Sequence, residues 1–347
     1  MKRLFRRNGV MDVNIFAYGR ERILRVLLSF LLVYMIGELA MAVLFTIAQT
    51  NYLLTLPEIQ SYYSSGSATA AGLTELVESI KLPDWFNVVS LFTTLGTVAA
   101  VLLFCLKIEK RTPFALGLSK AKAAIDYPAG LVIGATMLGA AFGIVYLSGG
   151  VGSFTLNGGI DWLFIALMFL GYAVQAFSEE LVFRAFLMPK AARTGAGVFG
   201  AVMINSLAFA ALHLGNNGVD AVSVINVFLF GIFASLLFLR TGSIWGVAAI
   251  HASWNFVQGN LLGINVSGVR TPYSVFVTEL SSNLFSGRDF GLEGGFAVTI
   301  VFLAGIAILL PIRNRETPCR PFIIRGKFFS ALPAKEDFAP SSEGEKL

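Results

Sequence analysis

Eight apolar runs divide this chain of 347 residues, at approximately 24 to 48, 86 to 106, 127 to 147, 162 to 183, 197 to 214, 221 to 239, 244 to 264 and 295 to 312. Crossing a hydrocarbon core of about 30 Å takes about 20 apolar residues in a helix. Lipid offers no partner to a backbone N–H or C=O, so a spanning segment satisfies them internally, as a helix, or closes into a barrel. No short alternating segments of the barrel kind are present. The expected fold is therefore all-α, a polytopic membrane bundle of about eight transmembrane helices. Composition bears this out: 56% of residues are hydrophobic and 14% charged, where a soluble domain has roughly a quarter charged.

The net charge of +5 does not make the chain a nucleic-acid binder. Its Lys and Arg residues fall in short clusters between apolar runs and form no single basic face. They alternate along the chain as the positive-inside rule requires. Lys2, Arg3, Arg6 and Arg7, then Lys107, Lys110, Arg111, Lys120 and Lys122, then Arg184, Lys190 and Arg193, then Arg240, and finally Arg313, Arg315, Arg320, Arg325 and Lys327 all fall on one side. The intervening loops carry Glu58, Glu75, Glu78, Asp84, Asp161 and Asp220. Both termini are expected to be cytoplasmic, with the lipid bilayer as the first partner. The run after Arg20, Arg22 and Arg25 is longer than a signal-peptide core and lacks a small-residue cleavage site, so it is expected to persist as a helix.

Three stretches are not spans. The loop from about 50 to 85 reads as an exposed excursion with one short helix, and the loop from 265 to 293 mixes polar and aromatic residues. The tail after Arg313, with Pro318, Pro321, Pro333 and Pro340, is expected to be disordered, with Phe328 and Phe329 among basic residues suited to a lipid surface. Cys105 and Cys319 offer neither a disulfide framework nor metal-ligand spacing.

Ionisable groups inside spans each call for a reason, since burying one costs about 2.5 to 3.5 kcal/mol even on a lenient scale. The fourth run ends in Ser178-Glu179-Glu180-Leu181-Val182-Phe183-Arg184. On a helix Glu180 and Arg184 share a face in the favourable acid-before-base order, whereas Glu179 points about 100° away. That spacing makes Glu180 and Arg184 a clamp and leaves Glu179 free to hold or deprotonate something else, although an isolated pattern of this kind also suits an ordinary solvated helix end. The only two histidines, His213 and His251, lie in or at the ends of apolar runs. Asn205, Phe209 and His213 fall on one helical stripe, and His251 shares a face with Asn255. A single membrane histidine is commonly an interhelical hydrogen-bonding residue; two of them, each with a partner at helical spacing, point to a site.

Depth is also readable. Residue 196, in the turn Thr194-Gly195-Ala196-Gly197, lies midway between Glu179 and His213, so an antiparallel hairpin sets the two at equal height. His251 is about 13 Å from its own turn and Glu179 roughly 25 Å from residue 196, at 1.5 Å per residue. The depths agree if the hairpin of the fourth and fifth runs projects beyond the membrane on the cytoplasmic side.

Glu179-Glu180-xxx-Arg184, Phe209-xxx-His213 and His251-xxx-Asn255, in that order on successive helices, resemble the three signature motifs of the CPBP intramembrane protease family, which includes type II CAAX prenyl proteases of the Ras-converting-enzyme kind and bacteriocin-processing or immunity proteins. The approach Arg240-Thr241-Gly242-Ser243-Ile244-Trp245 is similar as well. The resemblance covers about residues 110 to 260 and divides the chain into an N-terminal part (1 to 109), a protease-like core (110 to 264), a loop and last helix (265 to 312) and a tail (313 to 347). It implies an endopeptidase acting on a membrane-associated peptide or protein in the cell membrane of a prokaryote. Glu179 with His213 would activate water, His251 and Asn255 would stabilise the tetrahedral intermediate, and Glu180, Arg184 and Phe209 would support them. Glu179, His213 and His251 would also suit a three-ligand zinc site, and a metal-free glutamate mechanism fits the same residues. A non-proteolytic scaffold or immunity role, and proton-coupled transport using Glu38 as well, are the competing functions; no inverted repeat or paired broken helices favour transport.

Overall fold

The computed structural model describes residues 5–66 and 68–315 and the backbone of residues 322–324 and 327–329. All eight apolar runs are helical: α1 (Ile23–Leu53), α2 (Phe86–Ile108), α3 (Lys120–Leu147), α4 (Trp162–Ala191), α5 (Gly197–Leu212), α6 (Ala221–Thr241), α7 (Ile244–Phe256) and α8 (Phe296–Leu309). α1, α2, α4, α6 and the segment Phe114–Leu147 that contains α3 are long and apolar enough to cross a membrane. The chain is an integral membrane protein of the polytopic helical class.

The polytopic all-α expectation holds, and the eight helices differ in length. α5, α7 and α8 have 16, 13 and 14 residues, short of the about 20 that a full crossing takes. Each is cut short by polar structure at one end. α5 stops with His213 as its C-cap, α7 widens into a π-helical turn over Val257–Leu261, and α8 begins only after the short 3₁₀ turn Leu292–Gly294.

α7 is the centre of the bundle, with Ile244 and every residue from Gly246 to Asn255 buried. Small residues let its neighbours close in: a Cβ on Gly130 of α3 would meet Gly246 O at 2.5 Å, and one on Gly134 would meet Ile250 O at 2.5 Å. α1 is the opposite case. Only 17% of its most apolar window is buried, and Leu24, Leu28, Leu31 and Leu39 lie exposed, as a helix facing lipid should.

The basic segments do meet at one end of the bundle. Asn314 Nδ2 donates to Arg6 O and Arg7 O, Arg193 to Tyr18 O and Gly19 O, Lys190 to Glu109, and Arg315 to Asp126. A short helix, Gly9–Ala17, capped by the Asn8 side chain on Met11 N–H, lies here and buries Val10, Met11 and Val13.

Beyond the helices, β1 (Val151–Leu156) pairs antiparallel with β2 (Phe276–Leu280), so the 265 to 293 loop contains a strand that an all-α expectation omits. The excursion between α1 and α2 carries two short helices, Pro57–Ser64 and Ala70–Ser79, where one was expected. In the tail, β3 (Phe322–Ile324) pairs with β4 (Lys327–Phe329). The remaining expectations for the tail, including its disorder, the lipid contact of Phe328 and Phe329 and the state of Cys319, fall outside the described residues, as do Lys2 and Arg3.

Candidate functional site

Both glutamates of α4 sit at the point where its α-helical turns give way to a π-helical stretch, Leu181–Leu187. Such wide turns inside a helix are often found at functional sites. Glu180 is fully buried. Its Oε1 accepts from Arg184 Nη1 at 3.1 Å and lies 3.0 Å from His251 Nδ1. Arg184, also fully buried, rests 4.6 Å from the Phe209 ring centroid and 5.4 Å from that of Phe230. The faces of those rings carry the negative end of an aromatic quadrupole, which offsets part of the cost of burying a cation. The clamp read from the i, i+4 spacing is formed, and α7 adds an imidazole to it.

Glu179 faces elsewhere, with 28% of its side chain exposed. Its Oε1 accepts from the Gln175 amide. Its Oε2 has no hydrogen-bond donor among the described residues and stands 3.8 Å from His251 Nε2, too far for a direct bond and suited to a bridging water. Glu179 and His213 line one polar cavity of about 200 Å³, together with Glu38 and Tyr34 of α1, Thr97 of α2 and Asn216.

His213 approaches Phe209 O through Nδ1 at 2.8 Å. A carbonyl only accepts, so Nδ1 carries the hydrogen and Nε2 of the neutral ring is left as an acceptor. His213 also borders a smaller cavity of about 30 Å³ shared with His251, Phe209, Phe230, Trp254 and Glu293, space enough for a water. The two imidazoles thus meet around Phe209, whose ring centroid is 4.7 Å from that of His213 and 6.3 Å from that of His251.

Asn255 is one bond removed. Its amide donates to Gln175 Oε1 at 3.2 Å, and it stands in the wall of neither cavity. Gln175 therefore links Asn255 to Glu179, a role the sequence reading missed although it lies four residues before Glu179 in an apolar run. Glu293 was missed as well. Its carboxylate accepts from Trp254 Nε1 at 3.1 Å and from Ser267 N at 2.7 Å, and it arrives from a loop whose pattern carries no periodic signal. Asn205, on the His213 stripe, donates to Ser235 of α6 and serves helix packing.

As placed, Glu179, His213 and His251 do not make a metal-binding group; no three His, Cys, Asp or Glu side chains among the described residues do. The surroundings of the two imidazoles are nonetheless of the kind that orient metal-ligating histidines, with Nδ1 of one against a backbone carbonyl and of the other against a carboxylate.

Carboxylates and imidazoles from three helices gather around water-sized space inside an apolar bundle. In a comparison with protein families, residues 161–257 are similar to the family described as type II CAAX prenyl endopeptidase Rce1-like. That segment, whose match is consistent with the CPBP resemblance, holds every signature residue from Glu179 to Asn255 and excludes α1, α2, α3 and α8. Comparisons with curated proteins and with solved structures gave no match.

Proposed function

We propose that the chain is an intramembrane endopeptidase that hydrolyses a peptide bond in a membrane-associated peptide or protein with a glutamate-activated water. The observation that carries this is the unpaired Glu179 Oε2, 3.8 Å from His251 Nε2, in the wall of a polar cavity that His213 shares. Water held there gives its proton to the Glu179 carboxylate, assisted by His213 Nε2, as its oxygen attacks the carbonyl carbon. Charge develops on the former carbonyl oxygen. His251 and the second amide hydrogen of Asn255 are the donors that stabilise it. The C–N bond then breaks, and the proton on Glu179 passes to the leaving amine. Glu180 and Arg184 hold His251 in place throughout, and Phe209 separates the imidazoles.

A zinc site on Glu179, His213 and His251 is the second reading, favoured by the fixed Nδ1 partners of both rings. Bound there, the ion would lower the pKa of its water and polarise the carbonyl. The three side chains would have to draw together first, so no step is routed through it. In membrane terms, the meeting of the basic segments around Arg6, Arg193, Lys190 and Arg315 at one end supports placing that end, and both termini, on the cytoplasmic side, in what we take to be a prokaryotic cell membrane.

The test is comparative membrane proteomics of cells carrying wild type and Glu179→Ala, followed by cleavage of the accumulating peptide with purified protein. Glu179→Ala, His213→Ala and His251→Ala should each lower cleavage by about 10²- to 10⁴-fold while the protein still inserts and folds. Retained cleavage in purified Glu179→Ala overturns the assignment. A chelator that abolishes wild-type cleavage, with stoichiometric zinc in the purified protein, selects the metal reading.

A further inference from the structure

Away from the catalytic cavities, α3, α6 and α8 leave a groove of about 560 Å³ on the flank of the bundle. Its walls are hydrocarbon for most of their length, with Met137, Phe233, Ala304 and Gly305 on the sides and Ile250 of α7 at its base. At one end the chemistry changes: Arg240, Arg313 and Arg315 close it. That end belongs to the basic face of the bundle.

Two of the arginines are held there by structure. Arg240 donates from Nε to Leu309 O and from Nη2 to Leu310 O, tying down the last carbonyls of α8, and Arg315 N–H donates to Arg240 O. Arg315 is paired with Asp126 at 2.7 Å. Arg313 is exposed and has no hydrogen bond or ion pair among the described residues.

We propose that this groove seats one anionic phospholipid, with an acyl chain between α3, α6 and α8 and the phosphate at Arg313 and Arg315. The length suits a chain from a single leaflet. Val301 to Leu309 along α8 covers about 12 Å, most of the roughly 15 Å that half of a 30 Å core provides. Guanidinium groups at the mouth match phosphate oxygens in geometry and charge. The leaflet that basic loops face is also the one rich in anionic lipid. A zwitterionic lipid fills the groove equally well but gains less at the arginines, since its own cation competes. This inference is independent of proteolysis, because the groove shares no wall residue with either cavity.

The full chain, purified and delipidated in detergent, is incubated with an equimolar mixture of phosphatidylglycerol and phosphatidylcholine of identical acyl chains, and bound lipid is counted by native mass spectrometry. Wild type should retain one phosphatidylglycerol in preference to phosphatidylcholine. Arg313→Ala should lower that preference by about fivefold, the worth of one arginine near an anionic headgroup, and Arg313→Lys should restore most of it. Ala304→Phe, which fills the groove from its open side, should remove the retained lipid of either kind. Equal retention of the two lipids by wild type overturns the proposal. So does a preference that survives Arg313→Ala in protein whose elution and helicity are unchanged, a result that does not depend on whether Ala304→Phe folds.

Discussion

Glu179 and Glu180 are neighbours in sequence and occupy different media. Around Glu180 everything is sealed: carboxylate and guanidinium are both fully buried, aromatic rings enclose the cation, and α7 supplies His251 as a further partner. Around Glu179 the side chain is partly exposed to about 200 Å³ of cavity; each of the two carboxylates keeps one oxygen without a donor among the described residues, but only that of Glu179 has such space beside it. The 100° rotation between successive helical residues is enough to send one carboxylate into the core and the other into the cavity. The difference separates two jobs. A buried ion pair is costly to break and fixes geometry, whereas an open carboxylate is cheap to remove and free to exchange protons.

The largest expected effect tests the sealed side. Arg184→Ala leaves the buried Glu180 with His251 as its one remaining partner among the described side chains, and breaking a buried ion pair in this way costs about 3 to 5 kcal/mol. The thermal midpoint of the purified protein in detergent should fall accordingly. Glu179→Gln, which keeps an oxygen to accept from Gln175, should move stability by no more than about 0.5 kcal/mol. Replacing both clamp residues together, Glu180→Leu with Arg184→Met, should recover much of the lost stability without recovering cleavage, because His251 loses its anchor. Equal midpoints for Arg184→Ala and Glu179→Gln would show that the two carboxylates do not differ as described.

Gln175 spans the boundary, giving its amide hydrogen to Glu179 and accepting from Asn255. Gln175→Leu should lower kcat by about tenfold, equivalent to roughly 1.4 kcal/mol in the barrier, with KM and thermal midpoint little changed. A positioning residue acts in this pattern; one with a purely structural role would shift the midpoint and spare kcat.

What could be read in the sequence follows from how local each feature is. The helices, their apolar faces and the Glu180–Arg184 clamp depend on periodicity within one segment, and hydrophobic runs with i, i+4 spacing express that directly. The equal height of Glu179 and His213 follows from counting residues to a shared turn, and Gly197 does take the left-handed φ of +64° that such a turn uses. The partnership of Glu180 with His251 spans 71 residues and is set by how closely α7 docks between α3 and α4, which Gly130 and Gly134 permit. Nothing at either position announces it. Glu293 was illegible for the same reason in stronger form, coming from a loop folded back over Trp254 and Ser267. The shortness of α5, α7 and α8 was hidden because their polar ends continue apolar runs that hydropathy alone cannot divide.

The smallest expected effect lies on the basic end of the bundle, where a third acid provides an outer reference for the two in α4. Glu109 pairs with Arg111 at 2.7 Å and with Lys190 at 2.6 Å. Burial pushes its carboxyl up, but Arg111, Lys190 and Arg193 together outweigh that and hold it below the ordinary 4.5. A carboxyl with a lowered folded value stabilises the fold at pH above its ordinary value, and this stabilisation is lost as pH falls through the lowered one. Glu109→Gln should cost about 1 kcal/mol near neutral pH, the upper end for ion pairs near a surface. Its thermal midpoint should then decline less than that of wild type as the pH drops below 4.5. Midpoints recorded against pH for both proteins check this: parallel acid limbs would mean that Glu109 is not held by its cations, and that the network joining the 107 to 126 loop to the end of α4 contributes nothing that protonation can remove.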